Sequence, residues 1–159
     1  MGIHERDVLS KILQSLTVLA VLATRGVAPA AGQAIWVETD VEGGKEFRLF
    51  TGAGDAIFLQ CLTRGTGAAL QFAQPVGSVR GVTMRGIPGG QRNVAVRWQA
   101  GGYFLAIASG PGRDFMFRML RNAASLNVRA GDRELSFDVF GSDQIVSQCL
   151  QQQEAAPQD

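Results

Sequence analysis

From residue 35 onward, apolar and polar positions alternate in short runs, each closed by glycine or another turn-forming residue. A period of two bounded by such breaks marks half-buried antiparallel strands. Nine runs fit: Ile35 to Glu38, Glu46 to Phe50, Ala56 to Thr63, Ala68 to Ala73, Val79 to Met84, Asn93 to Gln99, Tyr103 to Ala108, Leu126 to Ala130 and Glu134 to Phe140. Between them stand Gly43-Gly44, Gly52-Ala53-Gly54, Gly65-Thr66-Gly67, Pro88-Gly89-Gly90, Gly101-Gly102 and Gly131-Asp132, which supply the backbone freedom that tight reversals need. The clearest hairpin sets Val94, Val96 and Trp98 on one face against Tyr103, Leu105 and Ile107 across Gly101-Gly102, with Asn93, Arg97 and Gln99 on the wet side.

Two segments leave this period. After Pro111-Gly112, the stretch Arg113 to Ala123 places Met116, Met119, Leu120 and Ala123 at helical spacing. The second runs from Ser142 to Gln152, with Ser142 as a candidate N-cap and Asp143 in the first turn. The expected fold is mainly β: a single antiparallel β-sandwich or barrel-like domain over residues 31–150, with two short helices and one disulfide. Residues 151–159, rich in glutamine and holding Pro157, read as a disordered tail.

Upstream, Ile12 to Ala23 form a mainly apolar run behind Arg6 and Lys11 and ahead of Ala28-Pro29-Ala30. That order is a secretory signal peptide's, so residues 1–30 are expected to be removed after Ala30. The run is too short to span a bilayer, which takes about 20 apolar residues, and no transmembrane anchor is expected after cleavage. The destination is periplasmic or secreted.

Cys61 and Cys149 are the two cysteines of the chain, and an even count in an exported protein argues for a disulfide. Ile57, Leu59 and Cys61 share a strand face, while Ile145, Val146, Cys149 and Leu150 share a helical one, so both thiols point inward. A redox or metal-binding pair is the weaker alternative, since the flanks carry neither a CxxC nor a third ligand.

The one histidine, His4, falls in the segment expected to be lost. The mature domain then lacks an imidazole for a Ser-His-Asp or Cys-His nucleophile system, a histidine zinc site or a histidine general base. Lys45 and Tyr103, each the sole mature residue of its type, have no motif around them. Gly52-Ala53-Gly54 lacks the third glycine of a dinucleotide fingerprint. Asp132, Glu134 and Asp138 include acids that could pair for glycoside hydrolysis, but Asp132 sits in a turn, and Glu134 and Asp138 oppose the parity of Leu135, Phe137 and Val139. The expectation is a non-enzyme with neither cofactor nor metal.

The whole chain holds 15 basic and 14 acidic residues, and removing residues 1–30 leaves twelve of each. No global field draws it to nucleic acid. The distribution is polarised nevertheless: between Asp55 and Asp114 there is no acid, whereas Glu38 to Asp55 carries five. Arg80, Arg85, Arg92 and Arg97 on neighbouring hairpins are therefore a candidate interaction patch for an acidic partner, peptidoglycan or another anionic envelope polymer. Solvated strand edges, some paired with Glu38, Glu42 or Glu46, are the plainer alternative.

The end of the chain is its most distinctive part: Phe115, Leu120, Leu126-Asn127-Val128-Arg129, Phe137-Asp138-Val139-Phe140-Gly141-Ser142, and a helix closing at Cys149. With Trp36 and the Leu59-Gln60-Cys61 strand, this resembles the exported VasI/TagO accessory proteins associated with type VI secretion. The resemblance implies a periplasmic accessory or adaptor role beside an envelope or secretion-machinery protein, without catalysis. Cys61 and Cys149 carry over as the structural pair, and Phe137, Asp138 and Gly141 as the closing strand and turn. Other exported one-disulfide β-domains include invasion-associated-locus-B-like envelope proteins and inhibitors of lysozymes or proteases. For an inhibitor, Ser109 to Arg113 and Gly86 to Arg92 are the candidate insertion loops. A small-molecule carrier is a third alternative.

Overall fold

The computed structural model describes residues 34–154. The expected leader over residues 1–30 and the tail beyond Glu154 lie outside them. Nine antiparallel strands form the body: β1 (Trp36–Val41), β2 (Gly44–Phe50), β3 (Ala56–Leu62), β4 (Gly65–Gln71), β5 (Gly81–Ile87), β6 (Gln91–Gln99), β7 (Phe104–Ile107), β8 (Ser125–Ala130) and β9 (Arg133–Asp138). Helix α1 (Pro111–Asn122) joins β7 to β8, and α2 (Asp143–Glu154) follows β9. Strand order is β1-β2-β3-β4-β7-β6-β5-β8-β9. All nine expected runs became strands, with ends displaced by up to three residues.

One face carries the core. Phe47 and Leu49, Ile57, Leu59 and Cys61, Leu70, Leu105, Val94 and Val96, Met84, Val128, Leu135 and Phe137 are all buried. Their period of two follows from the pleat. The sheet is not closed by pairing between its outer strands, yet it curls until its ends meet: the Ala34 N–H donates to the Phe140 carbonyl at 2.9 Å. The Trp36 indole N–H donates to Ser142 Oγ at 2.8 Å. At β9, the Arg133 guanidinium donates to Gln74 Oε1 at 3.3 Å and lies 3.8 Å from the Asp55 carboxylate.

Both helices lie against this inner face, α1 on β5 and β6, α2 on β3 and β4, and they touch each other. Helix α1 starts behind Gly110 (φ 108°) with Pro111 in its first turn, has Asp114 in that turn and Arg121 in its last. Each suits its end of the helix dipole. Met116, Met119 and Leu120 are buried as their spacing predicts, with Phe115 and Phe117 beside them. Gly86 allows the close approach of α1 to β5, because a Cβ there would stand 2.2 Å from Met119 Sδ.

Helix α2 reaches Glu154, two residues past Gln152, where the expected helix ended, and so runs into the first residues of the segment read as tail. Glutamine and glutamate are good helix formers and extend the last turn. The Ser142 carbonyl accepts the Val146 N–H at 3.1 Å, opening this helix, while the hydroxyl accepts the Trp36 indole. The disulfide Cys61–Cys149 ties α2 to β3, with the two Cα atoms 4.8 Å apart and both residues fully buried.

The β6–β7 hairpin forms with Val96 opposite Ile107 and Trp98 opposite Leu105. Trp98 and Tyr103 nevertheless stand half-exposed, contrary to the inward placement their alternation predicts. The tip of the hairpin packs on the loop after β4, where the Gly102 carbonyl accepts the Val76 N–H at 3.0 Å. There the Trp98 indole donates to the Val76 carbonyl at 3.3 Å.

Candidate functional site: the sheet edge and outer face

The four arginines of the candidate patch are not gathered on one surface. Arg92 lies opposite Met84, on the helix-bearing face, and donates to the Pro111 carbonyl at 3.1 Å, with its guanidinium 6.0 Å from the Phe115 ring centroid. Arg85 and Arg97 lie on the outer face. Arg85 pairs with Gln91, six residues along β6 from Arg97, a separation of about 20 Å at strand rise. Arg80 stands exposed ahead of β5, its carbonyl accepting the Val96 N–H. The expectation of one four-arginine patch is therefore corrected: β6 presents Arg92 and Arg97 to opposite sides.

The acids considered for hydrolysis are also apart in role. Glu134 pairs in register with Arg129, and the Asp138 carboxylate accepts the Phe140 N–H at 3.1 Å, closing a turn. The buried acids are Glu46 and Asp55. Glu46 accepts from Arg48 Nε at 2.6 Å and from Gln60 Nε2 at 3.2 Å. Asp55 accepts the Ala73 N–H at 3.0 Å and faces Arg133. Burial of a carboxylate is tolerated where its lone pairs are so occupied. Among the described residues, no three His, Cys, Asp or Glu are placed to hold a metal ion, and no helix is long and apolar enough to cross a membrane.

Of the two loops that could enter an enzyme cleft, Ser109 to Arg113 leads into the first turn of α1, and Arg113 is tied to the Thr66 carbonyl at 2.9 Å. Gly86 to Arg92 is a tight β5–β6 turn with a cis Ile87–Pro88 bond, closed by the Gly86 N–H on the Gly90 carbonyl at 3.0 Å.

The most unusual surface lies at β1. Ile35, Val37, Phe50 and Phe140 are 59, 47, 46 and 60% exposed. Register puts Val37 opposite Arg48 and Trp36 opposite Leu49, so Ile35 falls beside Phe50 on the same outer face. Phe140 is exposed just after β9, where its carbonyl takes the Ala34 N–H. A groove of about 330 Å³ runs between this corner and β9, lined by Ile35, Phe50, Gly52, Ser136 and Asp138 among others.

Strand β1 is also terminal in the sheet: no other described strand pairs with its far side. On its other face, Glu38 and Asp40 meet Lys45 of β2. The hydrogen bond from Lys45 to Glu38 holds the ammonium above the ordinary lysine range; desolvation opposes this, and the charges of Glu38 and Asp40 reinforce it.

A second concavity, about 510 Å³, lies on the outer face of β2, β3, β4, β7 and β6. Gly67, Ala69 and Ala106 form part of its lining, with Glu46, Phe58, Gln60, Phe104 and Gln99. Phe58 and Phe104 meet edge to face at 5.5 Å, and the Arg48 guanidinium covers Phe58 at 4.6 Å from its centroid.

No protein-family model matches this chain, and no curated protein or solved structure is significantly similar to it.

The β1 corner was not among the sites expected from sequence, although parity contained the signal. Phe50 follows Phe47 and Leu49, and Phe140 follows Phe137 and Val139. Each phenylalanine thus breaks an inward alternation and must face out.

Proposed function

We propose that this chain is a non-catalytic accessory or adaptor domain of the cell envelope, working through contact with another protein at the β1 corner. The observation that carries the reading is three exposed large apolar side chains, Ile35, Val37 and Phe50, side by side on the outer face, with Phe140 exposed after β9, beside a strand edge that no other described strand pairs. Contiguous apolar surface and a free strand edge are both liabilities in a solitary domain and both typical of docking sites. Export is supported by the apolar N-terminal run and by the buried disulfide, a bond that persists in oxidising compartments. The resemblance to VasI/TagO proteins favours a secretion machine as the assembly served.

The test is fractionation followed by capture. Wild-type protein should be recovered from the periplasm or medium with a partner, and Phe50→Ser combined with Phe140→Ser should lose that partner while melting normally. Unchanged capture by this variant would refute the corner as the docking site. Nanomolar inhibition of a lysozyme or protease would favour the inhibitor reading instead.

A second reading, carriage of a small molecule, is favoured by the outer-face concavity, whose size falls within the range of ligand sites. Native mass spectrometry of purified protein would then show a bound mass that Ala69→Trp removes.

A further inference from the structure

We infer that the β1 edge takes up an extended segment of a partner in which apolar residues alternate with lysine or arginine. This rests on the adaptor reading above and names the chemistry of what docks there. An added strand receives its backbone hydrogen bonds from the side of β1 that no other described strand pairs, and its side chains alternate between the two faces of the sheet. The two faces of β1 differ. Toward the outside it presents Val37, Thr39 and Val41, with Ile35 and Phe50 adjoining. Toward the inside it presents Glu38 and Asp40, and Glu42 follows in the turn.

Two carboxylates there face one ammonium, that of Lys45, which binds Glu38 and reaches Asp40 at 3.5 Å, and Glu42 adds a third negative charge in the turn beyond. Asp40 remains largely exposed. A segment laid along β1 therefore meets an apolar strip on one side and a negative strip on the other. Alternating apolar and basic residues satisfy both.

The same charges argue against a second copy of this chain. Antiparallel pairing of β1 with its own copy would bring the two sets of Glu38 and Asp40 together, and like charges across a strand pair are destabilising. Charged residues on an edge are a usual guard against such self-pairing. The edge is thus closed to itself and open to a strand of opposite charge.

The experiment uses the disulfide-bonded protein and three synthetic seven-residue peptides: Lys-Val-Lys-Val-Lys-Val-Lys, its Glu-for-Lys counterpart, and the same lysines and valines in two blocks. Binding is followed by fluorescence anisotropy, and its place by hydrogen exchange of the β1 amides. The alternating basic peptide should bind best, slow exchange in β1, and weaken with salt. Glu38→Gln with Asp40→Asn should weaken it about five- to tenfold, the scale of two exposed ion pairs.

Equal binding of the blocked peptide, better binding of the acidic one, or protection confined to strands other than β1 would each overturn the inference. So would a concentration-dependent dimer in sedimentation that Val37→Lys abolishes, since a second copy would then be the occupant. Capture of the native partner separates the two levels. Loss with Phe50→Ser and Phe140→Ser but not with the Glu38 and Asp40 substitutions refutes the strand chemistry alone. Indifference to all four refutes the adaptor reading itself.

Discussion

Replacing Cys61 and Cys149 together by alanine removes the covalent tie between β3 and α2. The bridged positions are 88 residues apart. Chain-entropy arithmetic for a loop of that size gives ~4.5 kcal/mol of stabilisation through the unfolded state. Both side chains are fully buried, so the small voids left by the two lost sulfurs add to this figure and make it a lower bound. For roughly 120 ordered residues, unfolding entropy near Tm is about 0.25 kcal/mol/K, and the loss corresponds to a drop of about 18 °C. Calorimetry of the oxidised wild type and the double variant measures it. Reduced and unfolded wild type, allowed to refold under reducing conditions, should melt close to the variant. A drop below about 5 °C, with the disulfide verified in the wild type by mass mapping, would refute the claim that this bond supplies a large share of the stability.

Other substitutions probe separate features. Gly102→Ala places a Cβ 2.3 Å from the Val76 carbonyl oxygen at φ +93° and should cost more than about 2 kcal/mol in urea unfolding, whereas Gly101→Ala, with nothing within 4 Å, should cost about 1. Gly86→Ala meets Met119 Sδ and Cγ and should destabilise by about 1–3 kcal/mol; combining it with Met119→Ala should show coupling in a double-mutant cycle. Asp55→Ala strips the Ala73 N–H of its acceptor and Arg133 of its charge partner, a loss of about 1–3 kcal/mol by denaturant titration. Phe50→Ser and Phe140→Ser, at exposed sites, should leave stability within about 0.5 kcal/mol of wild type.

The strands were legible because an amphipathic strand states its buried face every second residue, and Ile57-Phe58-Leu59-Gln60-Cys61 does so even where Phe58 is covered by Arg48 from outside. Strand order was not. The insertion of β7 between β4 and β6 depends on pairings far apart in sequence, about which local alternation is silent.

The arginine patch failed for a local reason that alternation already held. If Val94 and Val96 face inward, Arg92 does too and Arg97 does not. Charge suggested a common surface, but the pleat divides it. The same rule exposes Phe50 and Phe140. Glu46 was hidden for the converse reason: its carboxylate is buried because Arg48, two residues on and on the same face, neutralises it.

A photoreactive residue in place of Phe50 or Phe140, introduced into the chain in living cells, tests docking at the β1 corner most directly. Irradiation should yield a discrete crosslinked adduct from either position in the exported fraction, and none from the same residue at exposed Arg121 on α1. Adducts at Arg121 alone, or at none of the three positions in correctly exported protein, would contradict the account.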